Sequence, residues 1–435
     1  EKYSPDKGRP VIDPVVLIKM VLIQFLFGIR SMRQTCKEIE VNAAYRWFLV
    51  MGWQDKVPHF TTFGKNYTRR FARTDLFEQI FAHILEKCYQ AGYVKGGEVF
   101  VDATHIKASA NRNKKIKVMA HKEAEAYSRE LLEEINQERE ALGKDPFDDD
   151  PGDGGEEVEV TQSTTDPESG MFVKGEHERN FAYMAQTACN RHGFVLGYEV
   201  VPGNVHDSRS FWKLYGNIQN LDADYLMADS AFKTPAILRQ LFKDQWTPVM
   251  PYTRPKTDKN LLSRQDYQYD QENNCYICPA GETLRHTTTN REGRRVYRSR
   301  AKRCKSCPLL SACTNSKNHV KIIERHIWQD FVNQAEQIRK TPEGKSLYKR
   351  RKETIERVFA DAKETHGMRY PQYRGLAKVK MQVSLTFACL NLKKLASWAA
   401  KTPPLSPIPA FLTLFSASFL PFFFSPSQKA IPALR

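Results

Sequence analysis

The sequence predicts a mixed α/β protein with a helical N-terminal region and a small cysteine-bearing insertion. Three observations carry this. Short apolar runs that end in an acid, Val99-Phe100-Val101 before Asp102 and Tyr225 to Ala228 before Asp229, read as buried strands set among helical stretches. Five of the nine cysteines crowd into residues 275–313. The chain has 435 residues, beyond the roughly 250–300 at which single cores stop growing, so more than one unit is expected.

Composition narrows the partners. Apolar residues make up 41% and charged residues 27%, enough to bury a core and too apolar for a wholly disordered chain. Lys plus Arg outnumber Asp plus Glu by 66 to 50, a net charge of +16. That excess points to a polyanion, nucleic acid above all, although charge alone does not separate DNA from RNA or an anionic membrane. Nine cysteines are too few for a disulfide scaffold, and their clustering reads as metal binding in a reducing compartment. The start at Glu1 reads as trimmed, and no secretory signal opens it.

Taken in order, residues 1–95 read as helical. Val15, Val16, Ile18, Met20, Val21, Leu22, Phe25 and Leu26 form a dense apolar stretch, Gly28 interrupts it, and Ser31 can cap a second helix through Glu38. Thr61-Thr62-Phe63 leads into the basic run Lys65 to Arg73. This stretch reads either as a helix-turn-helix-like unit whose Arg69 and Arg70 meet phosphate, or as a helical domain with a solvated basic face.

Gly96-Gly97 breaks the chain before the strand that ends at Asp102. Residues 119–142 read as a long charged helix, and residues 148–160, with seven acids and no base, as a loop. Phe181 to Ala188 and Val195 to Val201 form a hairpin about His192-Gly193. The strand ending at Asp229, a helix from Pro235 to Phe242 and a strand from Pro248 to Tyr252 complete residues 96–254. Residues 255–320 hold the cysteines, and 321–400 turn helical. Residues 401–435 are apolar, but Pro404, Pro407, Pro409 and Pro421 interrupt them, so they do not read as a membrane span.

The chemistry is carried by acids. Asp102 and Asp229 at strand ends can share hard cations, which take oxygen ligands. In the helix around Glu356, Ile355, Val358, Phe359 and Ala362 form an apolar face, and Lys349, Lys352, Glu356 and Lys363 fall on one flank of it. That pattern fits a metal and phosphate site at the edge of a packed surface, or an ordinary amphipathic helix with solvated charges. His206-Asp207 reads either as part of the site or as a pair that stabilises its loop.

Cys275-x2-Cys278, Cys304-x2-Cys307 and Cys313 have a zinc-ribbon-like spacing. Pure pairing would use Cys275 and leave out Cys313. Between the pairs, Arg294, Arg295 and Arg298 stand in a strongly basic stretch that could track phosphates, or that forms a solvated strand face.

The chain resembles the DDE transposases of bacterial insertion sequences. The matching stretches are Asp13 to Lys19, Phe27 to Gln34, Val101-Asp102-Ala103-Thr104, Gly203-Asn204-Val205-His206-Asp207, Ala228-Asp229-Ser230 and Ile355-Glu356-Arg357-Val358-Phe359. The resemblance implies an RNase H-like mixed sheet flanked by helices, with Asp102, Asp229 and Glu356 as an acidic triad. It further implies two Mg2+ ions on the triad and a structural Zn2+ on Cys278, Cys304, Cys307 and Cys313. Lys363, seven positions after Glu356, stands where relatives contact DNA. The tyrosine and arginine that some relatives carry before the Glu are replaced by Lys349 and Lys352. The partners implied are double-stranded DNA (element ends and target) and a second copy of the chain on that DNA, in a bacterial cytoplasm at the nucleoid. The other readings are a catalytically silent zinc-dependent DNA-binding protein and a nuclease that only hydrolyses.

Overall fold

A computed structural model describes residues 12–72, 74–121, 128–147, 157–174, 178–252 and 261–401. The expected apolar tail, Arg73 and most of the acidic run at 148–160 lie outside the described residues. No described helix is long and apolar enough to cross a membrane.

The N-terminal region is helical, as its periodicity demands. Helix α1 (Pro14–Leu26) starts where Asp13 accepts a hydrogen bond from the Val15 amide at 2.8 Å, and it is apolar almost all round, so it is buried. Gly28 turns the chain with φ +64°. A Cβ there would lie 2.2 Å from the Thr365 carbonyl oxygen, so the close approach requires glycine. Ser31 then caps α2 (Met32–Val41), which is followed by α3 (Ala43–Leu49) and α4 (Thr61–Asn66). The basic run continues α4 as a π turn, Tyr67–Phe71, and α5 (Leu76–Gln90) follows.

The central sheet contains β1 (Gly97–Lys107), β2 (Lys115–His121), β3 (Glu157–Ser163), β4 (Gly170–Lys174), β5 (Glu178–Asn190), β6 (Val195–Pro202), β7 (Ala223–Met227) and β8 (Thr247–Val249). Its core runs β6-β5-β1-β7-β8. β1, β5 and β6 are mutually antiparallel, and β7 and β8 run parallel to β1. That order and these directions make an RNase H-like mixed sheet. β5 is long enough for β4 to share its edge with β6, and through β4 the sheet extends to β3 and β2. Three helices accompany it: α6 (Ser128–Ala141), α7 (Asp207–Ile218) and α8 (Pro235–Lys243).

Two expectations are corrected here. Of the long helix expected over 119–142, residues 122–127 lie outside the described residues and Ser128–Ala141 is helix α6. Residues 115–121 are instead strand β2, whose alternation pairs it with β3. The end of the acidic run, from Glu157, is strand β3 rather than loop.

A second, antiparallel sheet holds the cysteines: β9 (Gln268–Asp270), β10 (Cys275–Ile277), β11 (Thr283–Thr289), β12 (Arg294–Arg298) and β13 (Ile322–His326), in the order β13-β12-β11-β10-β9. It runs past residue 320 to His326. Two single-turn helices, α9 (Ala301–Cys304) and α10 (Leu310–Cys313), sit between β12 and β13. The sheet has its own core of Tyr267, Tyr276, Leu284, Tyr297 and Ile323.

The chain closes with α11 (Gln329–Lys340), α12 (Pro342–Glu364) and α13 (Leu376–Ala399). α13 is buried along much of its length because α1, α5 and β6 pack around it. The N-terminal α1 and α5 therefore share one core with the central sheet, while α2 and α3 gather a smaller cluster around Ile39 and Leu49.

Helix α6 joins the two sheets. Glu130, Glu134 and Glu138 recur every four residues and so line one face. Glu130 and Glu134 pair with Arg239 of α8, and Glu138 accepts from Arg295 Nε at 2.8 Å and Thr289 Oγ1 at 2.8 Å. Beneath them Leu131 and Ile135 pack with Ile327 and Trp328.

Candidate active site and cysteine cluster

Asp102 does not end its strand: β1 continues five residues beyond it, paired with β5. The parallel pairing with β7 does stop, at Phe100 opposite Met227, so a crevice opens on that side just as Asp102 is reached. Asp229 follows β7 into the same crevice, and one of its oxygens accepts from the Ala231 amide at 2.8 Å. This is the switch point between antiparallel and parallel neighbours, where α/β sheets gather ligand groups.

The electrostatics show which acids share the crevice. Burial pushes the Asp102 carboxyl up to about 6, against the pull of Arg351 and the Ala103 amide, and Asp229 and Asp207 add to the rise. Asp207, at the start of α7, is likewise raised by burial and then by Asp229. Three carboxylates therefore feel one another: Asp102, Asp207 and Asp229. His206 is occupied with capping α7, where its Nδ1 lies 2.8 Å from Ser208 Oγ.

Glu356 is not with them. It is exposed on α12, and among the described residues no three His, Cys, Asp or Glu side chains stand together as a ready metal site. The cause is helix phase. Ile355, Val358 and Ala362 face the core, and Glu356 lies about 100° round from Ile355. The α12 residue that faces Asp102 is Arg351, with Nη2 2.7 Å from Asp102 Oδ1. Tyr348, one turn before it, feels Arg351, Asp229 and Asp102. Tyr348 and Arg351 face the crevice, and Lys349 and Lys352 are exposed. The sequence carried the signal: Arg351 stands one turn before Ile355 and two before Val358, inside the apolar stripe.

The expected DNA contacts separate into free and engaged groups. Arg69 and Arg298 are exposed. Arg70 donates to Asn66 at 2.7 Å, and Lys363 is half-buried. Arg294 lies 3.2 Å from Glu292. Arg295 is only 21% exposed and is held by Glu138, so it serves the junction between the sheets rather than a phosphate face.

Cys278, Cys304, Cys307 and Cys313 line one cavity of about 440 Å3 together with Tyr267 and Lys321, although among the described residues no three of them stand as a ready metal site. Three of the sulfurs have a hydrogen-bonding partner. The Glu282 amide donates to Cys278 Sγ at 3.3 Å, Tyr267 Oη lies 2.9 Å from Cys313 Sγ, and Ser299 bonds Cys304. Burial raises the Cys304 thiol, and Cys313 and Cys278 raise it further, so these groups crowd one another. Cys275 is buried in β10 opposite Arg285 and lines no part of that cavity.

Comparison with known proteins agrees with this layout. A family model for a transposase DDE domain matches residues 277–396, and one for a transposase domain (DUF772) matches residues 1–69. No curated protein matches the chain. Among solved structures, the piggyBac transposase synaptic complex with hairpin DNA aligns at 8% identity with a TM-score of 0.29, covering 98% of this chain and 77% of that one. The Mos1 transposase paired-end complex with the left transposon end aligns at 12% identity with a TM-score of 0.17, covering 57% and 61%. Neither score supports a shared fold. The two family matches, at residues 1–69 and 277–396, support a DDE-type transposase of insertion sequences.

Proposed function

We propose that this protein binds the ends of its insertion sequence, cleaves them with Mg2+ and joins them to target DNA. The observation that carries the reading is the crevice at the sheet's switch point, where half-buried Asp102 and Asp229 come level and Asp102 feels the charge of Asp229. Both strand cleavage and strand transfer are in-line displacements at phosphorus. A pair of divalent cations supplies the Lewis acidity that activates the attacking oxygen and stabilises the leaving one. The donors fit such ions: carboxylates are hard ligands, and Asp102 and Asp229 each stand two residues past the last paired residues of β1 and β7, Phe100 and Met227. Asp102 and Asp229 would hold the metal. Glu356, the exposed acid of α12, would complete the set. Exposed Lys349 and Lys352, on the same flank of α12 as Glu356, and Arg69 and Arg298 elsewhere would meet phosphates.

The cysteine sheet is read as a structural zinc unit on Cys278, Cys304, Cys307 and Cys313. Their hydrogen-bond partners are those expected around thiolates, since donors to a ligating sulfur fix its orientation. Because an element has two ends, a pair of chains on DNA is the economical assembly. Incubation with the element's own ends and Mg2+, followed by mapping of products, tests the reading. Nicked ends and joined target strands are expected. Hydrolysis without joining would favour a nuclease, and binding without either would favour a silent DNA-binding protein.

A further inference from the structure

We infer that Arg351 is a resident stand-in for the metal: in the DNA-free chain its guanidinium occupies the Asp102 carboxylate, so a divalent cation enters by exchange with it. This rests on the reading of Asp102 and Asp229 as metal ligands.

Three observations carry it. The pair is close and sheltered, with Arg351 Nη2 2.7 Å from Asp102 Oδ1 and side-chain exposures of 11% and 18%. The helix phase is fixed: Leu347, Ile355 and Val358 are buried at one turn before, one turn after and two turns after Arg351. α12 therefore delivers a cation into its own apolar stripe, and into the acidic crevice rather than to solvent. The arginine is also incompletely satisfied, because its Nε is buried without a hydrogen-bond partner. A guanidinium has five donors and usually spends them on a fork of acceptors. One bonded to a single oxygen of Asp102 and to Tyr348, with Nε orphaned, leaves part of its fork unused at the acid.

The charge balance gives the reason. Asp102 is a sheltered carboxylate, with 18% side-chain exposure, and Asp229 follows β7 just as Asp102 passes the end of its pairing with that strand. A carboxylate so sheltered is costly to bury without a cation. Arg351 supplies one positive charge at the oxygen a metal would ligate. A divalent ion supplies two at the same place, so the two cations compete for Asp102. The exchange makes metal affinity low until something draws Arg351 away, which ties metal loading to a shift of α12.

The test uses the full chain and Mn2+ alone, without DNA. Binding is followed by calorimetry and by the shift in melting temperature, in the wild type, Arg351→Gln, Arg351→Lys, Asp102→Asn and Asp229→Asn. Removing the competing cation should tighten Mn2+ binding about tenfold in Arg351→Gln, the order expected for one close charge pair. Arg351→Lys, a point charge on a shorter stem, should tighten it about threefold. Arg351→Gln should melt lower than wild type without metal and recover with Mn2+, because the ion replaces the lost charge. If Arg351→Gln does not fold, the Lys variant carries the same test. Unchanged or weaker Mn2+ binding in the folded arginine variants overturns the exchange, provided Asp102→Asn and Asp229→Asn abolish wild-type binding. If those two asparagine variants bind Mn2+ as the wild type does, the metal reading itself has failed and the exchange falls with it.

Discussion

Replacing Glu138 should loosen the cysteine sheet from the central sheet and its helices without touching any group assigned to DNA. Glu138 accepts from Arg295 through Nε at 2.8 Å and also through Nη2, and from Thr289 Oγ1 at 2.8 Å. Hydrogen bonds to charged groups contribute about 1.5–3 kcal/mol each. The two side chains remain 21% and 23% exposed, so solvent screens part of this. A coupling of about 2 kcal/mol between Glu138 and Arg295 is a fair expectation, equivalent to about 30-fold in an opening equilibrium. A chain of this size does not unfold in one step, so global denaturation would blur the effect. Amide exchange of β12 and α6 in the native state reads the local opening instead. Glu138→Ala, Arg295→Ala and the double variant form the cycle. Each single change should cut protection by about 30-fold, with the double variant little worse than either. If Arg295→Ala leaves protection unchanged and instead weakens DNA affinity, the pair is not the junction described here.

Three further outcomes follow. Cys275→Ala should retain about one zinc per chain and Cys313→Ala should lose it, because only Cys313 lines the cavity with the other three thiols; metal analysis of the two purified variants decides, and the reverse pattern would restore pure two-by-two pairing. Gly28→Ala should destabilise by about 2 kcal/mol or more, since φ is +64° and the added Cβ meets the Thr365 carbonyl at 2.2 Å; an unchanged melting temperature would contradict the close approach. Burial, with Arg294 and Arg295, lowers His326 to about 4. The folded chain then binds fewer protons than the unfolded one between its pKa and the ordinary value near 6.5, so this residue's contribution to stability holds above pH 6.5 and is lost as pH falls towards 4; a His326 NMR titration midpoint near 6.5 would refute it.

Much of this architecture was legible in the sequence because the relevant signals are local. Ser31 caps the helix it precedes, and the hairpin about His192-Gly193 forms where alternation and a turn coincide. What escaped is relational. β2 reads as helix because its charged residues lack a buried face of their own and gain order only by pairing with β3. Arg295 reads as a DNA contact until α6, some 150 residues earlier in the chain, brings Glu138 against it. In the candidate site, Asp102 and Asp229 stood out because each follows a short apolar run, although β1 continues past Asp102, and the clustered cysteines because of their spacing. Arg351 and Asp207 were harder. A lone arginine in an apolar stripe looks like a breach of the pattern, and only the tertiary fold shows that an acid awaits it.

The central claim is that Asp102, Asp229 and Glu356 serve metal-dependent DNA chemistry. Asp102→Asn, Asp229→Asn and Glu356→Gln each keep side-chain shape and remove one negative charge. Measured with Mg2+ on the element's ends, all three folded variants should lose cleavage and joining while keeping end binding near wild type, because basic residues supply most of the affinity. Double variants should be no worse than single ones, since groups acting as a unit fail together. Substantial cleavage by any one of them would contradict that residue's place. Glu356→Gln is the sharpest of the three, because Glu356 is the acid that the DNA-free fold leaves exposed on the far flank of α12.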